Sequence, residues 1–411
     1  MKILFLHPNM PGQYKHLAPH LAADKNNEVV FLTKPKPKIN LPNVKKIEYQ
    51  VNRDSKKHIH KYLIGFERGI FAGQEAWRVC NQLKQKGFTP DIIIAHSGWG
   101  DGLFLKDIYP NTPILSFMEY FYNGYGEEAS FDKSEPNTPD DCARLRIRNA
   151  MHLVNLNAAD YCITPTKFQF SKFPKEYHNK FTILHEGIDT NKCKPARHKA
   201  YDLPNGQKLQ PGKDEIVTYI ARNLEPYRGF AKFMQSVELL QKQRPNAHFI
   251  IIGGDDVSYG NKPEQYKTWR EQMLAQTKTD ESRVHFMGYV NYDIYLKTLQ
   301  VSDVHVYLTY PFVLSWSLME AMAVGCSLVV SDTTPVHEMV QDGKTGLHAD
   351  FSSPQDIASK VIELLDNKTK AAKLGAAASQ FINDNYSLDK LLPKHVELIK
   401  KIVNEPNRHS N

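Results

Sequence analysis

Residues 303–332 read DVHVYLTYPFVLSWSLMEAMAVGCSLVVSD, and this stretch decides the fold. An apolar run (303–308) leads through a loop into a helical segment, and a second apolar run (327–332) follows. Strands that alternate with helices in this way are typical of a parallel sheet whose faces are covered by the helices. The stretch therefore predicts an α/β protein.

The same alternation extends along the chain in two series of short apolar runs. The first series comprises residues 2–7, 28–33, 91–96, 113–119, 161–166 and 181–186; the second comprises 215–221, 247–254, 283–290, 303–308, 327–332 and 346–350. Two series separated by a different kind of sequence predict two parallel sheets.

The predicted domains are residues 1–195 and 215–385. Residues 196–214 are rich in Pro, Gly and Lys and have no apolar period, so they are predicted to be the linker. A final helix is predicted in residues 386–411 and is expected to cross back to the first domain. Pro393 is expected to kink this helix or to mark its start.

The composition is that of an ordinary globular protein of two or three domains. The 411 residues are 41% hydrophobic and 24% charged, which excludes a disordered or collagen-like chain. No window of 18 apolar residues occurs, so no membrane span is predicted. The start, MKILFLHPNMPGQ, lacks the features of a signal peptide, and a cytoplasmic location is expected.

The cysteines and the charges give weaker information about partners. Five widely spaced cysteines favour reduced thiols over a disulfide or zinc framework. The net charge of +7 is densest at 34–46, KPKPKINLPNVKK, which is interpreted as a solvated loop. The alternative is contact with an acidic lipid face, as on the inner membrane, or with a polyanionic glycan. No aromatic residues alternate with the lysines, so nucleic acid is not expected as a partner.

Ligands of parallel sheets bind at the carboxyl ends of the strands, so the loops there supply the candidate residues. After the first strand, Gly12 would let the backbone approach a ligand, or it would simply make a turn. His96 ends the third run and is followed by glycines at positions 98, 100 and 102, whose spacing does not match a dinucleotide fingerprint. His96 either contacts a substrate or caps its strand.

Two further strand ends offer candidates with equally good structural alternatives. Glu119 ends the fourth run and is followed by Tyr120; both would line an acceptor site, unless the aromatic residues there form a structural cluster. Gly253 ends the strand 247–254, where a planar base could approach or the chain could merely turn. No D-x-D sequence occurs, so the usual metal-nucleotide signature is missing and no metal ligand is predicted.

The loop after strand 215–221 carries Arg222 and Arg228 and leads into a helix. Two guanidinium groups and a helix amino terminus can bind a diphosphate, because arginine donates to phosphate in a bidentate manner and supplies positive charge. The structural alternative is that these arginines lie on the surface and pair with Glu225.

The loop after strand 303–308 feeds a helix and offers backbone donors at Leu314, Ser315 and Trp316. Such donors at a helix amino terminus can hold phosphate or sugar oxygens. Glu320 lies one turn into the helix and could bind a ribose diol. Alternatively, Ser317 and Glu320 form a capping box, in which the carboxylate accepts from the Ser317 amide.

These residues resemble those of the retaining family-four glycosyltransferases of the GT-B fold. The resemblance rests on Arg222 with Arg228, the glycine-ended strand, GYV (288–290), LMEAMAVGCSLVVSD (318–332) and HEMVQDGKTGL (337–347). It covers most of residues 215–385, and the first half matches more loosely through the Gly12 loop, His96 and HEGIDTNKCKP (185–195). It implies two Rossmann-like domains that face each other across a cleft.

The resemblance also implies roles for the candidate residues. Arg222 and Arg228 would hold the donor diphosphate, Glu320 the ribose, and His96 the donor sugar. The base would lie at Gly288 to Val290, which includes Tyr289, and the transferred sugar at the loop formed by Phe312, Val313, Leu314, Ser315 and Trp316. This chain departs from the family at Phe312, where an acidic residue is usual, and in the spacing and identity of Arg228.

The implied function is retaining transfer of a sugar from a nucleotide-diphosphate sugar, UDP- or GDP-linked, without a metal or another cofactor. The acceptor would be a glycan, a lipid-linked sugar or a small molecule, as in polysaccharide biosynthesis. An oxidoreductase or epimerase is disfavoured because no G-x-G-x-x-G follows the first strand. A catalytically weak nucleotide-sugar-binding scaffold is the other alternative, suggested by Phe312.

Overall fold

The computed structural model describes residues 1–36, 38–55, 58–133 and 136–405. The chain forms two compact units. The first comprises residues 1–187 together with the carboxyl-terminal segment from Leu388, and the second comprises Ile188–Ser387.

A parallel sheet forms the centre of the first unit. Its described strands are β1 (Lys2–Leu6), β2 (Glu28–Thr33), β3 (Lys45–Glu48), β4 (Ile92–His96), β5 (Ile114–Phe117), β6 (Tyr161–Thr164) and β7 (Phe181–Ile183). They lie in the order β3-β2-β1-β4-β5-β6-β7, and every pairing is parallel. The order reverses between β1 and β4, which is where doubly wound sheets place their ligands.

A second parallel sheet forms the centre of the second unit. After a small antiparallel hairpin, β8 (Tyr201–Asp202) and β9 (Lys208–Leu209), come β10 (Glu215–Asn223), β11 (Ala247–Gly254), β12 (Val284–Gly288), β13 (Val304–Tyr307), β14 (Leu328–Ser331) and β15 (Leu347–Ala349). Their order is β12-β11-β10-β13-β14-β15, which reverses between β10 and β13. The prediction of an α/β fold with two Rossmann-like sheets is confirmed.

Helices flank both sheets. They are α1 (Leu17–Ala22), α2 (Ile64–Gln85), α3 (Leu105–Ile108), α4 (Pro139–Arg148), α5 (Ala150–Ala158), α6 (Lys167–Phe170), α7 (Phe230–Gln243), α8 (Trp269–Gln276), α9 (Tyr292–Gln300), α10 (Trp316–Val324), α11 (Thr334–His337), α12 (Pro354–Asp366), α13 (Lys368–Asn385) and α14 (Leu388–Asn404). Within the described ranges, none of these helices combines the length and the apolar character that a membrane span requires.

The central strands are mostly apolar because helices cover both faces of each sheet. In β1, Ile3, Leu4, Phe5 and Leu6 are all at most 1% exposed. The small side chains of α2, such as Ala72 and Ala76, belong to the same core cluster as Leu4 and Leu6.

The polar edge strand β3 was not predicted. The predicted solvated loop, residues 34–46, leads directly into it: Lys45 and Lys46 are its first two residues, and β3 pairs with β2. Lys46 donates to the carbonyl oxygens of Lys36 and Ile39 and lies 3.1 Å from a Glu48 carboxylate oxygen. An edge strand buries little surface, so its lysine-rich sequence shows no apolar run.

Residues 196–214 do not connect the two units, in contrast to the prediction that they form the linker. They lie within the second unit, which the chain enters at Gly187–Ile188 and leaves at Ser387–Leu388. Three apolar side chains, Tyr201, Leu203 and Leu209, are buried with Ile216 and Ile250. These side chains lie on a hairpin of two-residue strands, which is too short to produce a period in the sequence.

The last helix, α14, belongs to the first unit and contacts α1 there. Its buried face consists of Leu391, His395, Ile399 and Ile402. Pro393 lies inside the helix and does not mark its start.

Candidate functional site

In the second unit, Arg228 connects two loops at the switch point of the sheet. It ends a 3-10 turn, Pro226–Arg228, and is only 7% exposed. Its Nη1 donates to Thr309 Oγ1 (2.8 Å), and both Nη1 and Nη2 donate to the Val313 carbonyl (3.2 Å each). Arg228 follows β10, whereas Thr309 and Val313 follow the neighbouring β13. The guanidinium therefore holds together the loops that end both strands.

Arg222, near the end of β10, is in a different environment. Its side chain is exposed and makes no hydrogen bond or ion pair with the described parts of the chain. Glu225 forms no salt bridge with either arginine among the described residues. Its Oε2 accepts instead from the amides of Ser258, Tyr259 and Gly260, at 2.9 to 3.3 Å. The predicted pairing of the arginines with Glu225 is therefore wrong, and only Arg222 of the two lies on the surface.

Phe312 is 4% exposed and belongs to an aromatic cluster beside Arg228. Its ring lies edge-on to Tyr227 and Tyr259, with centroids 5.7 and 5.1 Å apart, and Tyr227 also contacts Tyr310 at 4.7 Å. The Arg228 guanidinium carbon lies 5.4 Å from the centroid of Tyr259. Where the resembling family has an acidic side chain, this chain thus has an apolar wall.

Glu320 does not form a capping box with Ser317. Helix α10 begins after Ser315, whose Oγ accepts from the Ser317 amide at 3.3 Å. The Glu320 carboxylate accepts from the Tyr292 hydroxyl at 2.8 Å and from the Tyr295 hydroxyl at 2.5 Å. Both tyrosines lie on α9, so Glu320 is held by a neighbouring helix.

The loop before α10 presents free backbone donors. The Ser315 amide donates to the Tyr307 hydroxyl at 2.9 Å. The amides of Leu314 and Trp316 have no acceptor in the part of the chain that the structure describes. The Trp316 side chain is 41% exposed. Two unpaired amides at a helix amino terminus form a suitable binding surface for an anionic or hydroxylated ligand.

The glycines at the end of β11 are required by the chain itself. A Cβ at Gly253 would lie 2.8 Å from the Leu224 side chain, and a Cβ at Gly254 would lie 2.3 Å from the Tyr289 ring. The Tyr289 hydroxyl donates to Asn223 Oδ1 at 2.6 Å, and the residue is 71% exposed. Val290, which follows, is half-buried against the core. The flat surface available to a base is therefore the Tyr289 ring and not the glycines.

In the first unit, His96 presents an unsatisfied ring nitrogen at the end of β4. Its Nδ1 accepts from the Gly98 amide at 3.0 Å, so the hydrogen of the neutral ring is on Nε2. That Nε2 is buried, has no hydrogen-bond partner among the described residues, and lies 3.8 Å from Glu119 Oε2. Burial holds the pKa of His96 well below its usual value. His96 caps its strand and still offers a donor.

Gly12 serves the same part of the first unit. A Cβ there would lie 2.5 Å from the His7 ring, and its φ of +51° favours glycine. His7 Nε2 lies 2.9 Å from Gln13 Oε1, and Gln13 Nε2 donates to Glu119 Oε1 at 3.1 Å. Burial lowers the pKa of His7 to about 4. A line of side chains, His7, Gln13 and Glu119, thus leads to the vicinity of His96.

Glu186 adds a second carboxyl group near Glu119. Its Oε2 is buried without a hydrogen-bond partner in the described ranges and lies 3.6 Å from His185 Nε2. Burial raises the pKa of Glu186 to about 8, and the negative charge of Glu119 adds to this effect. Tyr120, in contrast, is buried and donates to Glu128 at 2.5 Å, as expected of a structural aromatic residue.

Comparison with known families assigns the chain. Residues 25–193 match the glycosyl transferase family 4 group, and residues 205–381 match the glycosyl transferases group 1. The chain is a GT-B glycosyltransferase of this family. The resemblance inferred from the sequence is confirmed, and so is the expectation of a transferase.

Two relatives illustrate the range of this family. The glycosyltransferase is 24% identical to the uncharacterised glycosyltransferase MJ1069 of Methanocaldococcus jannaschii, over 97% of this chain and 96% of that protein. It is 23% identical to a D-inositol 3-phosphate glycosyltransferase of Streptomyces avermitilis, over 60% of this chain and 52% of that one.

Solved structures share the fold. Sucrose-phosphate synthase from Thermosynechococcus elongatus superposes with a TM-score of 0.72 at 17% identity, over 98% of this chain and 99% of that one. HepE from Anabaena, solved in complex with UDP and glucose, has a TM-score of 0.69 at 15% identity, over 98% and 100%.

The structure brings several of the predicted residues of this glycosyltransferase together. Arg228, Phe312 and Val313 share one loop cluster of the second unit, and His96 and Glu119 share one strand edge of the first. Sequence reasoning missed Gln13 and Glu186 in the first unit. Gln13 directly follows the predicted Gly12, and Glu186 belongs to the motif at 185–195, so both had a local signal.

It also missed Tyr292 and Tyr295 in the second unit. They lie 28 and 25 residues before the carboxylate they contact, and nothing near Glu320 in the sequence points to them.

Proposed function

We propose that this glycosyltransferase moves a sugar, with retention of its anomeric configuration, from a nucleotide-diphosphate sugar to a glycan or lipid-linked acceptor. The reaction needs no metal, the donor is UDP- or GDP-linked, and the enzyme works in the cytoplasm in polysaccharide assembly. Relatives whose names include GDP-mannose-dependent mannosyltransferases, and a fold relative solved with UDP, support both nucleotides.

The observation that carries the proposal is the environment of α10. The amides of Leu314 and Trp316, which have no acceptor in the described part of the chain, lie at its start. The carboxylate of Glu320, fixed by two tyrosine hydroxyls, lies in its second turn. Amide donors suit the oxygens of the sugar and the diphosphate. Each carboxylate oxygen has a second lone pair and can accept from a ribose hydroxyl.

The arginines have separate roles in this proposal. Negative charge develops on the diphosphate as the sugar leaves, and fixed positive groups stabilise it without reorganising. Arg222, which is exposed and unpartnered in the described chain, contacts the diphosphate directly. Arg228 contributes its positive charge from its buried position while it holds the loop in place through Val313.

His96 and Glu119 act on the sugars in the first unit. The buried Nε2–H of His96 has no acceptor among the described residues, which supports a hydrogen bond to a substrate hydroxyl. Glu119 is partly exposed and held by Gln13, which supports a role in accepting a hydrogen bond from a hydroxyl group of the acceptor substrate. Tyr120 positions this segment from the interior.

A donor screen tests the proposal. Release of UDP, GDP or ADP is measured with each nucleotide sugar, first with water and then with glycan and lipid-linked acceptors, and the configuration of the product is read by NMR. We expect turnover with one nucleotide and an α-linked product from an α-linked donor. Tight donor binding with no turnover on any acceptor would favour the binding-only alternative, and inversion would contradict retention.

A further inference from the structure

A group of three metal-ligand side chains lies in the second unit and shares no residue with the candidate donor site. Asp332 directly follows β14, His337 ends α11, and His348 lies in β15. One ligand atom from each lies within 4.8 Å of the others. Asp332 Oδ1 is 2.5 Å from His337 Nε2 and 3.5 Å from His348 Nδ1.

The tautomer of His348 is fixed by the backbone. Its Nε2 lies 2.9 Å from the carbonyl oxygen of Val340, which can only accept, so Nε2 carries the hydrogen. The Nδ1 of the neutral ring therefore presents its lone pair towards the carboxylate of Asp332. A histidine that donates one ring N–H to a carbonyl and directs the other nitrogen at a ligand position is typical of metal sites.

Hydrogen bonds hold the backbone of two of the three residues. The Asp332 amide donates to the Ala349 carbonyl at 2.8 Å, and the His348 amide donates to Asp342 Oδ1 at 2.8 Å. The rings of His337 and His348 are stacked at 4.9 Å with an interplanar angle of 9°. Such preorganisation lowers the cost of binding an ion.

We propose that Asp332, His337 and His348 bind one divalent transition metal ion of the zinc class. Two imidazoles and a carboxylate suit zinc, nickel or copper better than magnesium or calcium, which prefer oxygen ligands. A hydrogen bond can link only two of the three side chains at a time, whereas a divalent cation can be coordinated by a lone pair from each of them.

Side-chain movements of about 1 to 1.5 Å would admit the ion. Ligand atoms about 2.0 Å from zinc lie roughly 3.3 Å apart in a tetrahedron. Asp332 and His337 would therefore separate by less than about 1 Å, and ligand atoms as far apart as 4.8 Å would approach by up to about 1.5 Å. The side chains of Asp332 and His337 are 57% and 50% exposed, so a water molecule can take the remaining coordination position. The ion ties the end of β14 to α11 and β15.

The test uses the full-length chain without a histidine tag, stripped with a chelator and dialysed. Zinc is titrated by calorimetry, and cobalt is titrated with its visible absorption as a report of low coordination number. We expect one ion per chain. Asp332→Asn and His348→Ala should each weaken binding by about 10-fold or more, since even loss of an outer-shell partner costs this much. Zinc should also raise the melting temperature, and less so in the variants.

His248 and His285 provide the matched control. Their rings are also stacked, at 5.3 Å, and Nδ1 of the first lies 3.0 Å from Nε2 of the second, but no carboxylate of the described residues is hydrogen-bonded to the pair. His248→Ala should leave the single zinc site unchanged. His337→Ala, at an exposed position, covers the case in which His348→Ala does not fold. Absence of stoichiometric binding in the parent chain, or its loss in His248→Ala alone, would overturn the proposal.

Discussion

Both terminal nitrogens of Arg228 donate hydrogen bonds to the backbone carbonyl of Val313, each over 3.2 Å. The side chain is buried, so these bonds and the one to Thr309 stabilise its positive charge in the protein interior. The expectation from the sequence was that Arg222 and Arg228 would be equivalent parts of a diphosphate clamp. The structure separates them, because one is built into the protein and the other is exposed.

We therefore expect Arg228→Ala and Arg222→Ala to differ in stability. Arg228→Ala removes a buried charged donor and leaves its acceptors unsatisfied, so the free energy of unfolding should fall by about 2 to 4 kcal/mol. Arg222→Ala should change it by less than about 0.5 kcal/mol, yet lower kcat/KM by the equivalent of about 2 to 4 kcal/mol. Urea unfolding and initial rates measure the two effects. An Arg228→Ala protein as stable as its parent would contradict the structural role.

Much of the fold could be predicted from sequence because buried parallel strands are continuous apolar runs. The run 247–254 has the same bounds as β11. The strand β3, KKIE, could not be found this way, since it lies at an edge and its side chains are polar or half-exposed.

The surroundings of the candidate site residues could not be predicted from the sequence. The spacing of Ser317 and Glu320 suggested a capping box, but the N-cap of α10 is Ser315 and the helix begins at Trp316, so Ser317 is not in the capping position. The tyrosines that hold Glu320 come from another helix. A contact between distant segments leaves no local pattern in the sequence.

The role of Glu320 can be separated from its structural bonds. Glu320→Gln offers one acceptor oxygen in place of two, so donor affinity should fall by about 1 to 3 kcal/mol if the carboxylate binds the ribose. Tyr295→Phe removes the hydrogen bond at 2.5 Å and keeps the carboxylate, so it should cost stability but less than about 1 kcal/mol of donor affinity. Calorimetry with the nucleotide sugar and thermal melting give both values.

Equal losses of donor affinity in the two variants would mean that Glu320 acts only through its contacts with α9.

The N-cap of α10 provides a separate test of the helix start. Ser315→Ala should cost about 1 kcal/mol because Ser315 is the N-cap residue, and Ser317→Ala should cost less. The reverse order would restore the capping box that the sequence suggested.

Sugar transfer should survive removal of metal ions. The sequence contains no D-x-D, and the charges proposed for the diphosphate come from Arg222, Arg228 and the start of α10. We expect initial rates in excess EDTA within about 2-fold of the untreated enzyme, because positive side chains provide the stabilisation. Loss of transfer in EDTA that magnesium or manganese restores would contradict this. A fall in melting temperature without a fall in rate would instead report on the site at Asp332.

The buried carboxyl of Glu186 should make stability depend on pH. Its pKa is raised from 4.5 to about 8, first by burial and then by the charge of Glu119. Between these values the folded state keeps a proton that the unfolded chain has released. Stability from this group is therefore greatest below the unfolded pKa and declines as the pH rises towards the folded pKa, by up to about 1.4 kcal/mol per unit.

Glu186→Gln keeps the size of the side chain and removes its ionisation, so it isolates this effect. The free energy of unfolding of Glu186→Gln relative to the parent should rise between pH 5 and pH 8, by about 1 to 4 kcal/mol in total, and should level off above the folded pKa. Denaturant unfolding at several pH values measures this difference.

The exposed Glu264→Gln is the matched control, and its difference from the parent should stay constant. Since Glu119 helps to raise the pKa of Glu186, the decline in stability of a Glu119→Gln protein should end at a lower pH and be smaller in total. A constant difference for Glu186→Gln across this range would show that the carboxyl ionises normally and that Glu119 does not act on it.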